Sequence, residues 1–282
     1  MTLDACDLQR RVRERVDDAL VAQFQRDGAV CIRQLLTADE LALLQGGIEA
    51  NLAAPSPRAK VASRPDDPGR FFEDFCNWQE IDAFGRFIRQ APLAQLAQRL
   101  MGSDTVRLYH DHLLVKEPGT RQRTPWHQDQ PYYNIEGMQN VSMWIPVDPV
   151  SRAATLEFVA GSHKGPWLMP RTFMDNHAKW FPEGSLDDLP DIEGARERFP
   201  IVGWDIEPAT SSASTCSRCM RRPASKGRTG AACSRCAFWA TTSATPRAAG
   251  RPRPISRAWP SACRPARRWT IRSFRCWCAE PR

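Results

Sequence analysis

Nowhere do the 282 residues hold a run of eighteen apolar side chains, so no segment has the composition of a membrane-spanning helix. The first 21 residues, rich in Arg and Asp, lack the apolar stretch of a secretory leader. A cytoplasmic protein with no membrane partner is expected. Histidine is scarce: His110, His112, His127, His163 and His177 are the five, and none follows His177. Beyond Pro208 aliphatic side chains are scarce too, amounting to little more than Met220, Ile255 and Ile271, and Glu280 is the one acidic residue. A segment so short of apolar area cannot offset the entropy of ordering, so 209–282 is expected to be largely unstructured.

The two parts also differ in charge and cysteine. Residues 1–208 hold 23 basic and 31 acidic side chains, against 16 and one in residues 209–282, so the net charge of +7 describes neither part. Cys6, Cys31 and Cys76 lie in the first part and read as reduced thiols, whereas the other seven of ten cysteines follow Pro208. The organisation expected is one catalytic-type domain over 1–208 and a basic Cys/Arg/Pro-rich tail over 209–282.

Within the first part, Val12, Val16, Leu20 and Phe24 recur at helical spacing from Leu8 to Gln25, with Gly28 as a natural stop. Ala29–Leu36 reads as a strand. Thr37 with Glu40 forms a capping box that opens a helix through about Ala53. Ala54–Arg70 reads as a loop, followed by helical patterns over Ile81–Gln90 and Leu93–Met101. From Thr105 the pattern changes to strands, over Thr105–Lys116, Val141–Val147 and Leu156–Val159. Helices feeding a β-sandwich or barrel, mainly β overall, is the fold class these patterns imply.

The chemistry-bearing window runs from Lys116 to Gly165. His127 and Asp129 are two apart, so on a strand they would leave by one face and reach one ion. Together they make two-thirds of a 2-His-1-carboxylate facial triad, the ligand set that leaves metal positions open for a co-substrate and dioxygen. A distant His is required as the third ligand. Trp126, Tyr132, Tyr133 and Trp144 crowd these residues as a cavity wall or as core.

Three linked features carry a family resemblance: the run Thr124-Pro125-Trp126-His127-Gln128-Asp129-Gln130-Pro131-Tyr132-Tyr133, the strand Val141–Trp144, and Gly161-Ser162-His163-Lys164. Over about residues 20–208 the chain resembles the phytanoyl-CoA dioxygenase family of iron(II)- and 2-oxoglutarate-dependent oxygenases. The resemblance implies a double-stranded β-helix, or jelly roll of cupin type, that hydroxylates a C–H bond of a small-molecule or acyl substrate. It implies His127 and Asp129 as iron ligands, Lys116 and Trp144 beside the 2-oxoglutarate, and ascorbate as an accessory reductant. Lys116 as a solvated strand end and Trp144 as core packing are the bland alternatives. His112 borders the pocket better than His110, His163 serves the architecture, and His177 belongs to an exposed polar loop.

After Trp204-Asp205-Ile206-Glu207-Pro208 the family pattern would continue with Gly-Asp, a buried strand, the distal iron His and a co-substrate Arg. The chain gives none of these, so a jelly roll incomplete at its C-terminal end and an inactive product are expected. Cys216-x2-Cys219 and Cys233-x2-Cys236 have the spacing of zinc knuckles, and with the basic tail they offer an alternative: a non-catalytic protein whose zinc-binding tail binds nucleic acid. The composition instead matches GC-rich coding sequence read out of frame. Back-translation read from each codon's third base permits GDVIGFHMLTLHA over Pro208–Arg221 and LSVRFLGDD over Cys233–Thr242. The codon across Cys219 and Met220 must then be His or Tyr, and Phe238-Trp239-Ala240 forces Leu-Gly. A single base lost near codons 208–209 would account for all of this. On that account nucleic acid is not a partner.

Overall fold

The computed structural model describes residues 5–133, 135, 137–173, 176–223 and 237–243. It opens with two helices, α1 (Ala5–Arg15) and α2 (Asp18–Asp27), where the spacing predicts one. The break falls at Asp17, whose extended backbone and side chain cap α2 by accepting a 2.8 Å hydrogen bond from the Leu20 amide. Gly28 ends α2 in the left-handed conformation at φ 72°, with its amide donating to Phe24. Strand β1 (Ala29–Ile32) follows, and the Thr37–Glu40 capping box opens α3 (Ala38–Ala53) as expected. Strands β2 (Lys60–Val61) and β3 (Phe71–Phe75) precede helices α4 (Asp82–Gln90) and α5 (Leu93–Met101).

The strands that build the site are β4 (Arg107–Lys116), β5 (Thr124–His127), β6 (Asn140–Pro146), β7 (Glu157–Val159) and β8 (Ile201–Val202). Past Pro208, where the sequence pattern lapses, the chain still supplies β9 (Ser211–Ser214), β10 (Met220–Arg222) and β11 (Ala237–Ser243). This differs from the expectation of an unstructured segment from 209 onwards. Backbone pairing asks nothing of the side chains, and each of these strands fits between neighbours whose edges would otherwise be bare. Residues 224–236 and 244–282, with Cys233 and Cys236, lie outside the described residues.

Two antiparallel sheets result, ordered β1-β9-β6-β11-β4-β3-β2 and β5-β10-β7-β8. They are the two walls of a jelly roll. The outer face of the large sheet sends Leu113, Val115, Val141, Met143 and Ile145 into one core with Leu44, Phe84, Phe87 and Leu96 of the helices. Its inner face meets the small sheet through Trp144, Phe158 and Met220. The sides alternate along β4 from His110 to Lys116, where Leu113 and Val115 face the helices while His110, His112 and Lys116 take the opposite side; a register shift before His110 leaves Leu108 on the helix side. No helix among the described residues is long and apolar enough to cross a membrane.

Candidate functional site

The strand expected to carry both His127 and Asp129 ends at His127. Asp129 follows in helical conformation (φ −75°, ψ −37°) at the head of a 3₁₀ turn, Gln130–Tyr132, that begins where Pro131 removes an amide from the ladder. The turn brings the pair together by another route: His127 Nε2 lies 3.2 Å from Asp129 Oδ1. His127 Nδ1 is 2.8 Å from the Pro125 carbonyl, which accepts its hydrogen and thereby presents Nε2 to the carboxylate. A bare Nε2 and a carboxylate oxygen are both acceptors, so their contact calls for a shared proton or for a cation that both ligate. Asp129 Oδ2 is buried without a hydrogen-bond partner among the described residues. The pair has the tautomer lock and the donor atoms of half a metal site.

Aromatic rings wall it. The His127 ring lies 4.8 Å from that of Phe173 and 6.3 Å from that of Tyr132. Tyr132 is fixed by its hydroxyl, which donates to the Arg171 carbonyl at 2.6 Å.

On β4, His110 is buried against Tyr133, with ring centroids 5.1 Å apart. Burial holds its pKa down to about 4 although the Asp129 charge pulls the other way, so His110 is neutral at pH 7. His112 stacks on Phe75 at 4.0 Å, and burial, assisted by His110, keeps it neutral too. Its Nε2 and the Nδ1 of His110 have no hydrogen-bond partner among the described residues. Both histidines lie on the inner side of β4, and the Asp129 charge acts on His110.

Lys116 is not a solvated strand end. It is 2% exposed, and its Nζ donates to the Gln122 carbonyl at 3.1 Å and Thr124 Oγ1 at 3.4 Å above the Phe71 ring. Burial, then the charge of Arg222, holds the ammonium well below its ordinary range, with Glu73 opposing. Trp144 is also buried, packed with Met220 and Phe158, and the Arg222 guanidinium lies over its ring at 5.3 Å.

Arg222 and Met220 escape the sequence reading, because nothing in the tail's composition announces where its strands pair. On β10, Met220 stands directly across from His127 and Arg222 across from Thr124, with a bulge between them. Opposed residues share a face of a sheet, and so do residues two apart, so all four side chains look inward. Two cations, Lys116 and Arg222, thus converge on Thr124 and Trp144, an arrangement suited to one carboxylate. Across from His127 stands the thioether of Met220. Among the described residues no group of three His, Cys, Asp or Glu side chains could hold a metal.

His163 and His177 take no part. His163 Nε2 lies 3.2 Å from the Gln25 carbonyl, beneath the Gly28 turn, and His177 is exposed. Cys216 and Cys219 are buried; Cys219 packs with Trp126, and burial raises its pKa to about 11.

The family model described as Phytanoyl-CoA dioxygenase (PhyH) matches residues 24–210. The ectoine dioxygenase of Stutzerimonas stutzeri (strain A1501) is 29% identical over 154 residues, 51% of this chain and 50% of that one, so the chain spans about half the length of this curated relative. Among solved structures, the α-ketoglutarate-dependent carbocyclase SnoK from nogalamycin biosynthesis superposes with TM-score 0.65 at 19% identity, covering 82% of this chain and 85% of that one. EctD from S. alaskensis with 2-oxoglutarate and 5-hydroxyectoine gives TM-score 0.61 at 21% identity over 81% and 76%. These likenesses establish the jelly-roll fold.

Proposed function

Because the chain belongs to the phytanoyl-CoA dioxygenase (PhyH) family, we propose that its site is laid out for iron(II)- and 2-oxoglutarate-dependent oxidation of a small molecule, with His127 and Asp129 as two iron ligands. The observation that carries the reading is the 3.2 Å approach of His127 Nε2 to Asp129 Oδ1, with Nδ1 committed to Pro125. Lys116 and Arg222, over Trp144, would take a carboxylate of 2-oxoglutarate. A small polar substrate is favoured over an acyl chain: the relative named above acts on ectoine, and the pocket wall carries the buried polar groups of His110 and His112.

The donor set does not fit iron in full. A facial triad needs a third nitrogen or oxygen donor, and the position across from His127 holds the soft thioether of Met220. The chain as written is therefore proposed to bind iron weakly and to turn over little or no 2-oxoglutarate. Iron(II)-dependent succinate formation, measured with and without 2-oxoglutarate, tests this. Stoichiometric iron binding with steady succinate release would refute the proposed inactivity. Retention of full metal affinity after His127→Ala would refute the site itself.

The zinc alternative is the weaker reading. Cys219 faces away from the inner wall into the Trp126 cluster, and burial favours its thiol over the thiolate that zinc requires.

A further inference from the structure

We infer that position 220 is the seat of the missing third ligand, and that Met220 fills it because the chain is read one base out of frame from about codon 209. This rests on the metal-site reading above.

The structure supplies arguments that composition alone could not. First, the codon arithmetic has a definite register. With one base added back before codon 209, the codon spanning Cys219 and Met220 becomes codon 220, and it can encode only His or Tyr. Position 220 is the one that β10 sets directly across from His127. A nitrogen or phenolate donor would then stand where the thioether stands now, on the same inner face as the other two ligands. Second, Ala209 adopts φ 69°, a left-handed conformation that costs a residue with a Cβ about 1–2 kcal/mol and a glycine nothing. Its carbonyl accepts from the Leu35 and Leu36 amides, so the conformation is tied into the fold. The same added base permits glycine at 209.

Third, the side chains of 210–218 do not suit the places they occupy. Thr210, Ser211, Ser212, Ser214, Thr215, Ser217 and Arg218 are all buried. Ser211 Oγ, Ser212 Oγ, Thr215 Oγ1 and Arg218 Nη1 lie there without a hydrogen-bond partner among the described residues. Each such atom is a desolvated polar group of the kind native interiors avoid. In the other frame the codons permit Val, Ile, Gly and Phe over 211–214, which is what a strand between β1 and β6 calls for. A backbone conformation, a cross-strand register and an inverted polarity all point to one missing base.

The test uses the full chain in four forms: as written, Met220→His, Ala209→Gly, and the chain from a gene with one base added before codon 209. Cobalt(II) is the probe, with affinity taken from chelator competition and coordination from its visible absorption. Met220→His should bind cobalt about 100-fold more tightly than the chain as written, and the frame-restored chain at least as tightly. Ala209→Gly should raise Tm by about 3 °C. Unchanged cobalt affinity and spectrum in both the Met220→His and the frame-restored chains would overturn the seat at 220, and the restored chain carries that test alone should Met220→His not fold. A fall in Tm for Ala209→Gly, with an intact frame in the source DNA, would overturn the frame reading. His127→Ala in the restored chain separates the two levels: if it leaves cobalt binding intact, the metal-site reading itself fails.

Discussion

Lys116 Nζ lies 3.4 Å from Thr124 Oγ1, the hydroxyl of the β5 residue that stands across from Arg222 of β10. Two buried basic side chains therefore meet around Thr124, on the same strand as His127 and three residues before it. On the proposed function, a dicarboxylate co-substrate placed there would relieve their repulsion as it binds. Replacing either by methionine should lower 2-oxoglutarate affinity about 10-fold or more, since a charged hydrogen bond is worth about 1.5–3 kcal/mol. Isothermal titration calorimetry of Lys116→Met and Arg222→Met reads this. Because burial depresses the Lys116 pKa, affinity should fall as pH rises through the alkaline range, earlier than for an ordinary lysine.

His110 makes the fold acid-sensitive in a defined window. Its pKa is about 4 when folded against 6.5 for the ordinary side chain. The unfolded chain therefore binds the extra proton first, and stability falls as pH drops from 6.5 to about 4, by about 3 kcal/mol. Asp111, raised by burial to about 6, acts in the opposite sense: the folded state holds its proton longer, and stability rises as pH drops from 6 to 3.8. The two nearly cancel between pH 6 and 4. Urea denaturation at pH 6 and pH 4 should find Asp111→Asn losing much more stability over that interval than the unaltered chain, and His110→Gln losing less.

Glu157 is buried among three arginines, at 3.0 Å from Arg152, 2.8 Å from Arg196 and 2.6 Å from Arg221. Burial raises its pKa, but the hydrogen bonds from Arg196, Arg221 and Arg152 prevail and hold it at about 2. Its contribution to stability is present above pH 4.5 and lost as pH falls toward 2. Glu157→Gln should cost about 3 kcal/mol by removing the carboxylate that Arg152 pairs with and leaving Arg196 and Arg221 to Glu193, and thermal unfolding at pH 7 measures it.

Thr37→Ala should cost about 1 kcal/mol. It removes the 3.2 Å acceptor of the Glu40 amide while leaving Glu40 tied to Arg11 at 2.6 Å. Chemical denaturation with an unchanged m-value would assign the loss to the cap.

What the sequence disclosed is what depends on near neighbours. Gly28 stops a helix and Thr37–Glu40 starts one because each signal completes itself within four residues. The alternation along β4 was legible for the same reason. The break at Asp17 was hidden, since Val12 and Val16 continue one stripe across it. Asp129 was expected to follow His127 on a strand, whereas Pro131 turns the chain first and the two side chains meet at 3.2 Å across that turn. The placements of Met220 and Arg222 depend on pairings with residues some ninety positions earlier, which no local pattern encodes.

The order of arrival has a consequence for assembly. β1 waits for β9, its partner from Ala29 to Ser214, and β4 and β6 are joined only by β11, the last described strand. On a ribosome the helices and both halves of the large sheet emerge with a gap down the middle, and the sheet closes when residue 243 is out. Such non-local closure is slow, and until then the inner borders of β4 and β6 are open templates for any passing strand. Synthesis rate and chaperone supply will therefore set the yield of folded protein more strongly than its final stability does.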